Sequence, residues 1–208
     1  MIRSISFSFI ASALLAAGTA HADGLGENPA GEPWTFSAAP KGGVAVPTSR
    51  LDPFAVVGAE IGYALPVLDG QLVAAFDGTY TRPPFEASVS DDRVGGEGGF
   101  ELDVTEVKLS LGAVYRFFGP ERAFIPFAGG GPVLHLLRTT ERDDFDPEEN
   151  THQNSEVGAE LVLGADYRLG PGYVVGESRF LYSDLAHRYT GDTNAGNVTL
   201  ALGYRAVF

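Results

Sequence analysis

The side chains best suited to chemistry in this sequence are three of its four histidines. His135, His152 and His187 could each act as a general base. A nucleophilic serine would need such a base within hydrogen-bond reach, with an acid to orient it. His152 in ENTHQNS and His187 in LAHRY both occur in polar, loop-like sequence. We therefore interpret these two as solvated side chains and predict no catalytic residues.

A second candidate for chemistry is the acidic segment ERDDFDPEEN, residues 141–150, which has six carboxylates and one arginine. Oxygen-rich clusters suit Ca²⁺, but the spacing lacks the Asp-x-Asp-x-Asp-Gly pattern of a dedicated calcium loop. We interpret the segment as a solvated loop and predict no metal and no cofactor. The chain's formal charge of −13 also argues against nucleic-acid binding, because few bases could neutralise phosphates.

The amino terminus has the features of an export signal. Arg3 precedes the apolar run ISFSFIASALLAA, and AHA ending at Ala22 is a small-x-small cleavage site. We expect residues 1–22 to be a signal peptide, with a retained anchoring helix as the alternative. The chain has no cysteine, so the exported part must be stable without disulfides.

The elements that would position these groups are strands, because polar and apolar residues alternate. In EVGAELVLGADYRL, residues 156–169, the odd positions are apolar and the even positions include Glu160, Asp166 and Arg168. A two-residue period predicts a strand with one polar and one apolar face. The same sorting holds in residues 57–65, 106–117, 173–185 and 197–208. We predict eight strands, near residues 35–46, 54–66, 71–82, 102–118, 123–139, 155–169, 173–186 and 196–208.

Short and long connections alternate between these strands. LDG (68–70), GPER (119–122) and GPG (170–172) have turn chemistry. The longer connections are polar and fall at 83–100, 140–154 and 187–195. This arrangement predicts an all-β fold, an eight-stranded antiparallel up-and-down barrel with its short turns at one end.

The charged residues decide which face of the barrel lies inside. Such a barrel could be a soluble carrier with an apolar lumen or a transmembrane barrel with an apolar exterior. An eight-stranded barrel is just wide enough for side chains to fill, and buried ions must pair. Six acids and six bases on the polar face fit a transmembrane barrel with a polar, filled lumen. These residues are Lys41, Glu60, Asp77, Glu106, Lys108, Arg116, Glu160, Asp166, Arg168, Glu177, Arg179 and Arg205.

A Tyr-Arg motif recurs before the short turns and at the carboxyl terminus. It occurs in LGAVYRFFGP, LGADYRLGPG and ALGYRAVF, with a looser copy in EIGYALP. We expect the tyrosines to face outward as an aromatic girdle at the membrane surface, and each following arginine to face the lumen. The girdle residues are Tyr63, Tyr115, Tyr167 and Tyr204.

The stretches KGGVAVP, GAEIGYAL and IPFAGGGPVLH, with the terminal strand, resemble the small OmpA/OmpX-type outer-membrane β-barrels of Gram-negative bacteria. The resemblance implies an outer-membrane location, periplasmic short turns and outward-facing loops. It also implies that ALGYRAVF, with Gly203, Ala206 and Phe208, is the signal read by the barrel-assembly machinery. Ala201 and the small Ala206 depart from that signal's usual pattern.

From this resemblance we expect residues 23–33 to be a flexible periplasmic leader and residues 34–208 the outer-membrane β-barrel domain. We expect no peptidoglycan-binding domain to follow. The expected partners are outer-membrane lipid, lipopolysaccharide and, during biogenesis, the assembly machinery, and the protein is expected to be a monomer.

Pro126 and Pro132 conflict with the strand that contains them, because each lacks an N–H for the ladder. We therefore expect a bulge near Gly129–Gly131 or a later strand start. Which face His135 occupies stays open at this point.

Three functions remain open. The first is a non-enzymatic barrel that supports membrane integrity and surface-loop contacts, with its lumen plugged by a salt-bridge network. The second is a narrow pore for small or hydrophobic solutes, and the third is a lipid A-modifying enzyme. Known outer-membrane lipid A deacylases place His and Ser two residues apart, and the sequence contains no His-x-Ser. We favour the first.

Overall fold

The structure is a computed structural model that describes residues 35–48, 52–91, 96–143, 150–184 and 196–208. The predicted signal peptide and leader, His187 and residues 144–149 of the acidic segment lie outside these ranges. One short 3-10 helix, Leu68–Gly70, is present, and no helix in the described ranges is both long and apolar enough to cross a bilayer. The strands of the described chain are β1 Phe36–Pro47, β2 Phe54–Ala64, β3 Leu72–Thr81, β4 Pro84–Asp91, β5 Gly96–Arg116, β6 Phe124–Asp143, β7 Asn150–Leu169, β8 Gly172–Tyr182 and β9 Asn197–Val207.

These strands close into an antiparallel barrel. Around the wall the order is β3, β2, β1, β9, β8, β7, β6 and β5, and pairing between β3 and β5 closes the circle. The seam between the first and last strands is β1 with β9. Neighbours in the wall are otherwise neighbours in sequence, which is the up-and-down arrangement. The predicted eight-stranded transmembrane-type barrel is confirmed.

β4 is a continuation of β3 rather than a ninth wall position. Thr81 pairs with Glu106 and Pro84 with Asp103, so both strands advance by three residues and keep the same register. The interruption falls at Arg82 and Pro83, where proline cannot donate to the ladder. Most of the predicted long connection at 83–100 is therefore a paired hairpin, and that part of the prediction was wrong.

β6 and β7 also extend further than the sequence predicted. Their ladder continues to the pair Glu141–Asn150 without a shift in register. The segment 140–154 is polar, so it lacks the apolar–polar alternation that marks a half-buried strand. A hairpin above a membrane can be solvated on both faces, and paired strands there carry no such signal.

The two prolines of β6 cause no bulge, contrary to expectation. The pairing with β7 runs in a constant register from Phe124 to Glu141, through both prolines. The carbonyl of Pro126 accepts from the Phe117 N–H of the segment after β5, at 3.0 Å, so its ring nitrogen also faces that side. Pro132 has the same parity, and the β5–β6 ladder lacks two pairs opposite it. The missing donors therefore weaken one ladder and leave the other intact.

The short turns use left-handed backbone. Gly170, between β7 and β8, has φ of +63°, which glycine adopts without steric cost. Asp69 and Gly70 have φ of +54° and +74° in the turn after β2, as this turn chemistry predicts. Leu68, at φ +50°, was not an expected left-handed residue.

Alternate residues along each strand point into the lumen or outward. On β7, Leu161 and Leu163 are 51% and 43% exposed, whereas Val162 and Asp166 are buried. On β5 and β6, Leu111 and Leu134 likewise face outward. This orientation confirms the polar, filled lumen and excludes a carrier with an apolar interior.

Candidate functional site

The centre of the lumen is built around Lys41 of β1. Its ammonium lies 3.0 Å from a Glu60 carboxylate oxygen, 2.5 Å from Asp77 and 2.9 Å from Glu177. These acids come from β2, β3 and β8. Gly203 on neighbouring β9 makes room for the lysine, since a Cβ there would lie 2.8 Å from Lys41 Cγ.

Arg179 of β8 contacts the same three acids, at the same carboxylate oxygens as Lys41. Its guanidinium lies 3.3 Å from Glu60, 3.0 Å from Asp77 and 2.5 Å from Glu177. It also binds Glu160 of β7 at 2.9 Å. Glu60, Asp77 and Glu177 are thus each held by two bases in the central cluster.

Toward the short turns the network continues through Arg205 of β9. Arg205 binds Glu60 at 2.8 Å and also pairs with Asp166. Asp166 in turn lies 3.2 Å from Arg116 Nε. The network therefore joins residues of seven wall strands, β1, β2, β3, β5, β7, β8 and β9. Isolated buried ions cost several kcal/mol each, so this pairing is what allows the lumen to be both charged and filled.

A layer of apolar side chains lies beside the network on the short-turn side. Phe127 of β6 is its largest member, and the guanidinium of Arg205 lies 5.4 Å from the ring centroid. Gly164 makes space for the ring, because a Cβ there would approach Phe127 Cζ to 2.5 Å. The buried members of this apolar layer are Ala39, Val73, Ala75, Val114, Phe127, Val162 and Val175.

The loop-side part of the lumen is less tightly paired. Lys108 is buried, yet no ion pair within 4.0 Å joins it to another described residue. It lies opposite His135 in the β5–β6 register. A cavity of about 20 Å³, lined in part by Lys108, Ser110 and Glu160, lies beside it and has room for a single water molecule.

His135, whose face the sequence left open, points into this loop-side part and is completely buried. Its Nδ1 lies 3.4 Å from Ser183 Oγ, and its Nε2 lies 3.5 Å from a carboxylate oxygen of Glu106. Sequence spacing could not find this group, because its members come from β5, β6 and the end of β8. His152, in contrast, is exposed on β7.

His135, Ser183 and Glu106 are the residue types of a hydrolytic triad, but their environment does not fit the role. Ser183 and His135 are each 0% exposed and Glu106 is 2% exposed. A nucleophile must reach a substrate carbonyl, and this hydroxyl is enclosed by the barrel wall. Within the described residues, no three His, Asp or Glu side chains form a metal-ligand group.

The four tyrosines of the repeated motif lie at the short-turn end of the barrel. Tyr63, Tyr167 and Tyr204 are exposed and Tyr115 is half-buried. Tyr115 donates to Gln71 Oε1 at 2.8 Å, and Tyr204 donates to the Leu169 carbonyl at 3.2 Å. Of the following arginines, Arg116 and Arg205 are buried in the lumen and Arg168 is half-buried.

The carboxyl-terminal residues lie at the seam of the barrel. Phe208 donates its N–H to the Phe36 carbonyl at 2.8 Å, and its own carbonyl accepts from Thr35 and Phe36. Gly203 pairs with Lys41 and Ala206 with Ala38 across the same seam. The residues of the predicted assembly signal therefore complete the ladder that closes the wall.

Solved structures share this architecture, and one of them is a major outer membrane protein. Neisserial surface protein A is 17% identical, with 83% of this chain and 97% of that chain covered and a TM-score of 0.56. A major outer membrane protein from Thermus thermophilus is 14% identical, with 84% and 100% covered and a TM-score of 0.60. The attachment invasion locus protein Ail of Yersinia pestis, in complex with the heparin analogue sucrose octasulfate, is 16% identical, with 82% and 99% covered and a TM-score of 0.51.

The chain has the fold of a small outer-membrane β-barrel. At these identities the likeness establishes the fold alone. No protein-family model matches the sequence, and a search of curated proteins finds no significant match. The role of this outer-membrane-type barrel must therefore be argued from its lumen and its surface.

Proposed function

We propose that the protein is a non-enzymatic integral protein of the outer membrane, whose lumen is plugged and whose loops make its surface contacts. The observation that supports a plugged lumen is that Lys41 and Arg179 each pair with all three of Glu60, Asp77 and Glu177. An ion crossing the lumen would have to displace these paired groups and then pass the apolar layer around Phe127. Apolar constrictions resist hydration and so oppose ion passage.

The exterior supports a membrane location. Leu161, Leu200 and Leu202 expose more than half of their surface, which is costly in water and favourable against acyl chains. Arginine or lysine at mid-bilayer on that face would cost about 2–4 kcal/mol each. The described bases in the middle of the barrel point inward, where the carboxylates of the network neutralise them.

The remaining parts of this proposal concern orientation and biogenesis. The short turns would face the periplasm, with Tyr63, Tyr115, Tyr167 and Tyr204 at headgroup level. The barrel-assembly machinery would read the terminal segment that contains Gly203, Ala206 and Phe208, and the barrel would work as a monomer in contact with lipid and lipopolysaccharide.

Planar-bilayer recording of the purified protein tests the plug. We expect no steady conductance from the wild-type barrel across the usual range of voltages. Steady single-channel currents would contradict the plug and favour the narrow pore.

An ester-hydrolysis assay on lipid A tests the enzyme alternative. If the wild type removed acyl chains and Ser183→Ala did not, the non-enzymatic role would be contradicted.

A further inference from the structure

Among the lysine and arginine side chains that the structure describes, Arg82 and Arg138 are the two that face outward at the loop side of the barrel. Of the lysine and arginine side chains that the structure describes, most lie in the lumen or at its rim, and Arg122 lies in a short turn. Arg82, between β3 and β4, and Arg138, on β6, are both exposed on the outer surface.

The register brings the two arginines to the same height. Thr105 of β5 pairs directly with Arg138, and the shared β3–β4 register puts Arg82 on the other side of Thr105. Two strand spacings separate their backbones, which is about 10 Å. Both side chains can therefore reach one ligand lying over Thr105.

The position of the two arginines along the barrel axis indicates which kind of ligand they could bind. The next row toward the membrane centre holds Tyr80, Val107 and Leu136, which are apolar or aromatic. The next row away from it includes Thr140, whose hydroxyl is 3.4 Å from that of Thr151. The arginines thus lie where the apolar band gives way to a polar surface, the level of lipid headgroups.

The two arginines differ in their partners within the protein. Arg82 donates to Asp103 through Nε at 2.7 Å and also through Nη2. No ion pair among the described side chains includes Arg138. Among the described side chains, the Arg138 guanidinium therefore has no carboxylate partner, and guanidinium geometry suits phosphate oxygens.

We propose that Arg82 and Arg138 form a binding site for the phosphate of an outer-leaflet lipid headgroup, with the Thr105 and Thr140 hydroxyls beside it. The site rests on the proposed membrane orientation of the barrel. Basic side chains near a membrane surface each strengthen binding of anionic lipid by about fivefold. Asp103 competes with the lipid for Arg82, so Arg138 is the stronger contributor.

The test uses the full chain reconstituted in phosphatidylcholine vesicles that contain bis-phosphorylated or dephosphorylated lipid A. Native mass spectrometry after gentle detergent extraction measures the fraction of protein that retains the lipid. We expect Arg138→Gln to weaken retention of the phosphorylated lipid about fivefold, and Arg82→Gln to weaken it less. Asp103→Asn should strengthen it, and Arg122→Gln, at the opposite end, should leave it unchanged.

Three outcomes would overturn the site. Equal retention by wild type and the Arg82→Gln/Arg138→Gln double variant would exclude these residues. Equal retention of dephosphorylated lipid would exclude phosphate as the recognised group, and full displacement by inorganic phosphate would assign the site to a soluble anion. Insertion is followed separately by heat-modifiable electrophoretic mobility, and failure of the wild type to insert would instead overturn the proposed membrane location together with the site.

Discussion

The two halves of the lumen are built from similar residues but satisfy them differently. From the centre of the lumen to its short-turn end, Glu60 and Asp166 each contact more than one base, and Phe127 fills the space beside them. On the loop side, Lys108 has no ion pair among the described residues, and His135 has only long contacts of 3.4 and 3.5 Å. Burial alone does not distinguish these halves, since both are closed to solvent. The two halves differ instead in the number of partners that each charged group has.

This difference in pairing predicts which half stabilises the barrel and which half tolerates substitution. A buried charge with several partners cannot be removed without stranding the others, whereas one without a close partner can be replaced by an apolar group at little cost. We therefore expect the short-turn half to set the free energy of unfolding and the loop-side half to tolerate substitution.

The largest expected effect is at Glu60, which contacts Lys41, Arg179 and Arg205. Glu60→Gln keeps the volume but leaves three buried bases short of one carboxylate, so we expect a loss of about 4 kcal/mol. Urea unfolding in lipid vesicles measures it. Glu156→Gln, at an exposed position of β7, is the matched control and should change the free energy of unfolding by less than about 0.5 kcal/mol. An equal loss in both variants would remove the distinction between the halves.

Phe127→Ala should have the next largest effect, a loss of about 3 kcal/mol in the same measurement. The ring occupies space that Gly164 leaves open, and its removal would create a cavity beneath Arg205. The control is Phe180→Ala, because Phe180 is 42% exposed on the outer face and its removal leaves no internal cavity. A smaller loss from Phe127→Ala than from Phe180→Ala would contradict the structural role of the apolar layer.

The two buried lumen lysines provide the sharpest test of the comparison. Lys108→Met should change the free energy of unfolding by no more than about 1 kcal/mol, because no close ion pair is lost. Lys41→Met, at similar burial, should cost several kcal/mol since it strands Glu60, Asp77 and Glu177. If Lys108→Met destabilised the barrel as much as Lys41→Met does, the loop-side half would be as tightly paired as the other.

The smallest effect is expected on the outer surface. Tyr204→Phe removes an exposed hydrogen bond of 3.2 Å to the Leu169 carbonyl and should cost about 0.5 kcal/mol. Tyr182→Phe, on the loop side of β8, gives the comparison for an exposed tyrosine at the other end of the barrel. A loss above about 2 kcal/mol at Tyr204 would mean that this rim, and not the lumen, dominates the short-turn half.

The sequence predicted the barrel and the inward direction of its charges because both depend on a two-residue period. It could not predict which charges meet. Glu60 and Arg205 are 145 residues apart on strands that are not neighbours, and their approach depends on strand tilt, which alternation does not encode.

Other features of the structure that the sequence did not predict have equally local causes. Val114 and Val162 are single apolar residues on a mostly polar face, so the apolar layer they help to form gave no pattern of its own. The prolines of β6 predict a bulge or a later strand start because the sequence does not say which neighbour a missing N–H faces. The hairpin formed by β4 and β5 was hidden because Pro83 and Pro84 resemble the start of a loop.

The seam between β1 and β9 has a consequence for the order of folding. These two strands are the first and last in the described chain, so their ladder is the contact of longest sequence separation and among the slowest to form. Until it forms, both strands present unpaired edges that invite aggregation. Lys41 lies on this seam, and its ion pair with Glu177 of β8 reaches across it, so this link of the lumen network can form only when the two edges meet.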